Sequence, residues 1–83
     1  MNQVILKSFG EVIERLRERK GLTQVQLGKK CKLSQAVISR IEVGKTGTSI
    51  PILFKLSKGL GKNPDRIIYL LRSTISNKVK RKK

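Results

Sequence analysis

The chain has 83 residues, which is enough for one small domain. Its 20 Lys and Arg residues against five Asp and Glu residues give a formal net charge of +15, which favours a polyanionic partner, either nucleic acid or an anionic membrane. There is no His and a single Cys, so the composition argues against a metal site, a catalytic site and an intrachain disulfide. The longest apolar run, residues 67–71, is far shorter than the ~20 residues of a membrane span, which argues against a transmembrane helix.

The first predicted helix opens at Ser8, which forms a capping box with Glu11. Apolar residues follow at the spacing of a single helical stripe. Lys20 and Gly21 then end the helix with a cation and a C′ glycine. Residues 1–6 precede the predicted cap, and they either extend the helix or form an arm that reaches a partner subunit.

The second and third predicted helices are joined by a short turn. Thr23 caps the second helix, with Gln26 as its capping-box partner, and Ser34 caps the third, which Gly44 ends. Because only three residues separate the two helices, they must cross at a steep angle, and the third helix projects as a rigid element. A solvated helix face is usually filled with Glu and Lys. The exposed face of this helix instead carries short or amide side chains and one arginine: Gln35, Ala36, Val37, Ser39 and Arg40.

Such a face fits the major groove of B-DNA, where the leading residues of a helix reach the base edges. A Gln side chain can pair with adenine and an Arg side chain with guanine, while methyl groups of Ala or Val pack on the thymine methyl. Long Lys or Glu side chains there would hold the helix away from the bases or be repelled. The pattern therefore favours base recognition over binding driven by charge alone.

Helices four and five complete the domain. Ser49 caps the fourth helix, and Asn63 caps the fifth, which begins with proline at N1 and an acid in its first turn. Strand patterns are absent, so the sequence predicts an all-α fold, a compact bundle of about five short helices with a helix-turn-helix. The predicted domain spans residues 1–75. Residues 76–83 form a basic tail with five cations and no acid, which is predicted to be disordered.

The fifth helix carries the apolar run. Five consecutive apolar residues surround a helix, although one stripe suffices to pack it on its own domain. The run therefore predicts a self-association surface, and the alternative is that all five residues belong to the intrachain core. Cys31 is predicted to be a small core residue that fits a reducing cytoplasm, with a redox sensor as the alternative. The predicted dimer interface comprises Ile67, Ile68 and Leu71.

The segment GLTQVQLGKKCKLSQAVISRIEVGK, residues 21–45, resembles the helix-turn-helix of the phage repressor and Cro type, the XRE-like family with the lambda repressor-like fold. The resemblance extends from about residue 9 to residue 71. Members of that family bind operator DNA as dimers and regulate transcription. Two positions, Gly28 and Lys32, depart from the family pattern. Gly28 replaces the usual alanine and loosens helix two by roughly 0.5–1 kcal/mol. Lys32 replaces a turn glycine, which adds strain of order 1–2 kcal/mol if its φ is positive.

The resemblance also implies roles for individual residues. It places Gln24 at the start of helix two, against a phosphate or a base, and it implies a structural ion pair between Arg17 and Glu42. Lys45 and Thr46 match the loop that lines the DNA backbone. The base-reading positions of helix three correspond to Gln35, Ala36 and Arg40.

These observations predict a cytoplasmic, sequence-specific transcriptional regulator that is not an enzyme. We expect a homodimer, acting as a repressor, that binds a palindromic operator in double-stranded DNA through helix three, with no cofactor and no membrane partner. Two alternatives stay open at this level. One is an antitoxin-like module that binds a protein partner as well as its own operator, and the other is a non-specific binder driven by charge.

Overall fold

The computed structural model describes residues 2–81 and forms five helices in that range. No strand occurs among these residues, so the prediction of an all-α bundle is confirmed. None of these helices is long and apolar enough to cross a membrane. The helices are α1 (Asn2–Arg19), α2 (Gln24–Cys31), α3 (Gln35–Glu42), α4 (Ile50–Leu60) and α5 (Pro64–Arg81).

Three helices begin at the predicted N-caps. The Thr23 hydroxyl accepts a hydrogen bond from the Gln26 backbone at 3.1 Å, and the Gln26 side chain accepts one from the Thr23 backbone at 2.8 Å, which completes the capping box. Ser34 and Ser49 accept equivalent bonds of 3.2 Å at the starts of α3 and α4. These caps satisfy backbone donors that a helix start otherwise leaves without partners.

The predicted start of the first helix is wrong. Helix α1 begins at Asn2, and Ser8 lies buried at the end of its second turn instead of capping it. Local cap chemistry is overridden here because Val4 and Leu6 are half-buried and extend the packed side of the helix toward its N-terminus. Residues 2–6 therefore extend α1, which was one of the two alternatives proposed for the N-terminal segment. Met1 lies outside the described residues.

The core lies where α1 meets α3 and α5, and where α2 meets α3 and α4. Leu27 of α2 and Ile38 of α3 are fully buried, and together they fix the crossing of the helix-turn-helix. The core comprises Phe9, Val12, Ile13, Leu16, Leu27, Cys31, Ile38, Ile41, Leu53, Leu56, Leu60 and Ile67.

The turn between α2 and α3 contains both departures from the family pattern and accounts for one of them, Gly28. Lys32 adopts the left-handed conformation, with φ of 58°, so the strain anticipated for a non-glycine residue is present. A methyl group at Gly28 would lie 2.6 Å from the Leu33 carbonyl oxygen. Gly28 therefore admits a close approach of the turn to α2, which offsets its low helix propensity.

Helix α5 corrects two predictions. Ile67 is fully buried in the core, so its placement in a dimer interface is wrong, whereas Ile68 is 45% exposed and Leu71 is half-buried. The helix also continues through Arg81, so the prediction of disorder from residue 76 is wrong for residues 76–81. The extension is stabilised because Lys78 packs toward α1 and pairs with Glu11 at 3.1 Å. Lys82 and Lys83 lie outside the described residues.

Candidate nucleic-acid interface

Helix α3 presents its first two residues and one later position to solvent. Gln35 and Ala36 directly follow the Ser34 cap and are exposed, and Arg40 is exposed one turn further along. Val37 and Ser39 are only half-buried, and Val37 also packs against the core. The predicted base-reading residues therefore share an accessible surface, and Val37 contributes to it with part of its side chain.

A chain of hydrogen bonds leads from the protein interior to this surface. Arg17 of α1 donates to the Glu42 carboxylate at 2.7 Å through Nε and at 3.0 Å through Nη2. Gln24 of α2 donates its amide to Glu42 Oε1 at 2.9 Å. Gln35 of α3 then donates to Gln24 Oε1 at 3.3 Å. Three helices thus hold the Gln35 amide from behind.

The Arg17–Glu42 pair is the most buried part of this series of hydrogen bonds. Only 12% of the Arg17 side chain and 3% of the Glu42 side chain are exposed. The third guanidinium nitrogen, Nη1, donates to the Leu22 carbonyl at 2.8 Å, so every nitrogen of the group has a protein acceptor. The bonds to Glu42 raise the pKa of Arg17 above its usual value. Arg17 is therefore occupied in joining α1 to α3 and to the start of α2.

The loop after α3 carries the predicted backbone contacts. Lys45 and Thr46 are exposed, and their backbone N–H groups donate to the Arg40 carbonyl at 3.0 and 3.4 Å. Gly44, with φ of 82°, makes the turn that precedes them. The loop is thereby tied to the same helix that exposes Gln35.

Residues 2–81 contain no group of three His, Cys, Asp or Glu side chains placed to hold a metal ion. Cys31 is buried beside Gly59, and burial raises the pKa of its thiol. Its position fits the predicted core role.

The bonds that Gln24 makes were not predicted from the sequence. It was expected to meet DNA directly, but its amide joins Glu42 to Gln35 within the protein. Gln35 and Glu42 are two turns apart on one face of α3, but Gln24 comes from α2, and the two helices meet only in the folded domain. Predicting these hydrogen bonds requires the relative placement of α2 and α3, which the sequence pattern does not give.

A family comparison identifies this arrangement. The helix-turn-helix model HTH_3 matches residues 13–67, which is more than half of the chain. The chain belongs to the HTH_3 family. The resemblance to XRE-like proteins is thereby confirmed, and the family and fold are those of DNA-binding transcriptional regulators. No curated protein sequence matches this HTH_3 protein.

Solved structures similar to this HTH_3 protein include two restriction-modification controller proteins. The wild-type controller C.Esp1396I is 30% identical, with a TM-score of 0.80 over 88% of this chain and 95% of its own. The controller C.AhdI from Aeromonas hydrophila is 29% identical, with a TM-score of 0.73 over 75% of this chain and 94% of its own. The clp gene regulator ClgR from Corynebacterium glutamicum has a TM-score of 0.88 over 94% of this chain and 83% of its own, but at 18% identity it shows the fold alone.

Proposed function

We propose that this HTH_3 protein is a sequence-specific repressor that binds a palindromic operator as a homodimer, with α3 in the major groove. The observation that carries the proposal is the surface of α3, where Gln35, Ala36 and Arg40 are exposed on a helix braced from behind. A positively charged protein of any shape attracts DNA, but a braced row of short and amide side chains is suited to reading bases.

Each exposed residue has a preferred base partner. The Gln35 amide suits the donor and acceptor edge of adenine, and the Arg40 guanidinium suits the acceptor pair of guanine. The Ala36 methyl suits contact with a thymine methyl. Lys45 and Thr46 supply contacts to phosphates, which position the helix without carrying sequence information.

Dimerisation rests on an apolar groove between the start of α1 and the middle of α5. Ile5, Ile68, Leu71 and Ile75 line the groove, together with Arg72 and Ser76. A second copy seated there by a two-fold axis would bury these side chains in both subunits. The same axis would place two α3 helices about one DNA turn apart, roughly 34 Å, and would make the operator palindromic. Repression then requires only that the dimer occupy DNA that a polymerase must use.

The similarity to restriction-modification controllers supports a narrower candidate. C.Esp1396I is 30% identical to this chain over nearly all of its own length. A controller role would mean that the operator lies beside a restriction or modification gene. The same domain would serve the controller role and the repressor role, because each requires binding to a specific operator.

Selection of binding sites from a random duplex library tests the proposal. We expect a palindromic consensus with half-sites centred about 10 base pairs apart. Copies of that consensus beside restriction and methyltransferase genes would support the controller role. Recovery of random sequence, with equal affinity for all duplexes, would contradict specific recognition and favour the charge-driven alternative.

A further inference from the structure

The first two turns of α1, residues 2–7, reach the loop between α3 and α4 through Leu6 and Lys7. We name these residues the α1 extension, and they lie outside the range that the family model matches. A methyl group at Gly44 would lie 2.9 Å from Lys7 Cγ and 3.1 Å from Lys7 Cα, and one at Gly47 would lie 3.0 Å from Leu6 Cδ2. The extension therefore touches the loop on both sides of Lys45 and Thr46.

This contact continues the face of α1 that holds α3. Arg17 binds Glu42, and Gly10 lies so close to the Ile41 and Glu42 carbonyl groups that a methyl group there would overlap them. Residues 7, 10 and 17 share one face of a helix, because they are spaced by three and seven residues. Lys7 is thus carried on the same rigid surface that fixes the reading helix, and it reaches the loop at Gly44.

The charge of Lys7 has no carboxylate partner within residues 2–81. Its helical neighbour at i+4, Glu11, pairs with Lys78 at 3.1 Å. The carboxylate of α3, Glu42, is held by Arg17 and Gln24. Lys7 is exposed and lies beside a loop that already carries an exposed lysine, so this corner of the domain presents paired positive charges.

We infer that Lys7 contacts a backbone phosphate of the operator, next to the phosphates reached from the loop by Lys45. The inference rests on the proposed function and deepens it, because it makes the α1 extension a third DNA-contacting element beside α3 and the loop. A phosphate contact fixes orientation on the duplex, so Lys7 adds affinity and salt dependence without changing the preferred sequence.

The test compares Lys7→Gln with Lys58→Gln. Glutamine at position 7 keeps a polar side chain with the same first carbons beside Gly44, but it removes the positive charge. Lys58 is also exposed, but it lies in the last turn of α4, about 13 Å along the helix from the Ser49 cap beside the loop. Both variants are checked for an unchanged melting temperature and are titrated with salt on the selected duplex and on a random duplex.

Each phosphate contributes about −0.9 to the slope of log affinity against log salt. We expect Lys7→Gln to make the slope shallower by about 1.8 for a dimer, with the selected consensus unchanged, and Lys58→Gln to have little effect. Phosphate ethylation should show one position per half-site that weakens binding of the wild type and of Lys58→Gln but not of Lys7→Gln.

An unchanged slope and ethylation pattern for Lys7→Gln would overturn the inference, and so would equal slope changes in the two variants. The random duplex keeps the result separate from the proposed function. If selection yields no consensus, the proposed function fails, whereas the Lys7 contact is still judged from the difference between the variants on random DNA.

Discussion

Arg17 and Glu42, which are 25 residues apart in sequence, are joined by two parallel hydrogen bonds of 2.7 and 3.0 Å between α1 and α3. Both side chains are almost completely buried. The Glu42 carboxylate also accepts a hydrogen bond from the Gln24 side-chain amide. The Gln24 amide oxygen in turn accepts a hydrogen bond from Gln35 on the proposed reading surface. One buried carboxylate therefore serves the stability of the domain and the orientation of its exposed face.

Removing the charge of Glu42 should destabilise the domain strongly. Glu42→Gln leaves the buried guanidinium of Arg17 without a counter-charge, and loss of one partner of a buried pair costs roughly 3–5 kcal/mol. Urea denaturation measures the change in the free energy of unfolding. Glu14→Gln, at an exposed position of α1, serves as the control and should change it by less than about 0.5 kcal/mol. Equal stabilities of the two variants would show that the pair contributes nothing.

Gln24 should affect binding more than stability. Gln24→Ala removes the bridge that holds the Gln35 amide, and the loss of about 1 kcal/mol corresponds to roughly fivefold weaker operator binding. Gln26→Ala on the same helix removes only the capping-box contact, so it should lower the melting temperature and leave operator affinity nearly unchanged. Fluorescence anisotropy and thermal denaturation separate the two effects. The reverse pattern, with Gln26 controlling affinity, would contradict the bracing role of Gln24.

Short-range signals in the sequence predicted much of the fold. Thr23, Ser34 and Ser49 act as the caps that their spacing indicated, because capping depends on atoms only two or three residues away. The possible strain at Lys32 was also visible as a departure from the family pattern. These features are local, so the sequence alone contains the information they require.

The errors arose where tertiary contacts outweigh local chemistry. Ser8 carries the signature of a cap, but α1 passes through it because earlier residues pack on the domain. In the run 67–71, periodicity could not separate the residue that faces the core from its neighbours, and Ile67 faces the core. Residues 76–81 are helical because α5 lies along α1, which charge composition does not reveal.

Ile68 and Ile67 should respond differently to the same substitution. Ile68→Lys places a charge in the proposed dimer groove and should give a folded monomer with weaker operator binding. Ile67→Lys buries a charge in the core and should unfold the chain. Sedimentation equilibrium and circular dichroism distinguish these outcomes. Val25→Lys, at an exposed apolar position of α2, should leave the dimer intact. A wild-type protein that stays monomeric at high concentration would contradict the proposed interface.

The thiol of Cys31 should make stability fall at alkaline pH. Burial raises its pKa in the folded chain, so the folded thiol stays protonated where the unfolded thiol, with a pKa of about 8.5, ionises. Its contribution is complete below that pKa and is lost as pH rises through the higher folded value. We expect the free energy of unfolding to decrease more steeply above pH ~8.5 in the wild type than in Cys31→Ala. Identical pH dependence in both proteins would show that the thiol is not perturbed by folding.

The most direct test of base reading by α3 is to repeat the random-library selection with Arg40→Ala. Arg40 is exposed on α3, and its side chain makes no hydrogen bond or ion pair within residues 2–81, so its removal should leave the domain folded. We predict that the variant recovers the wild-type consensus except at one base pair per half-site, where the preference for guanine is lost and affinity falls by about 1–3 kcal/mol. An unchanged consensus for Arg40→Ala, and likewise for Gln35→Ala, would contradict the account, because the sequence would then be read by another surface.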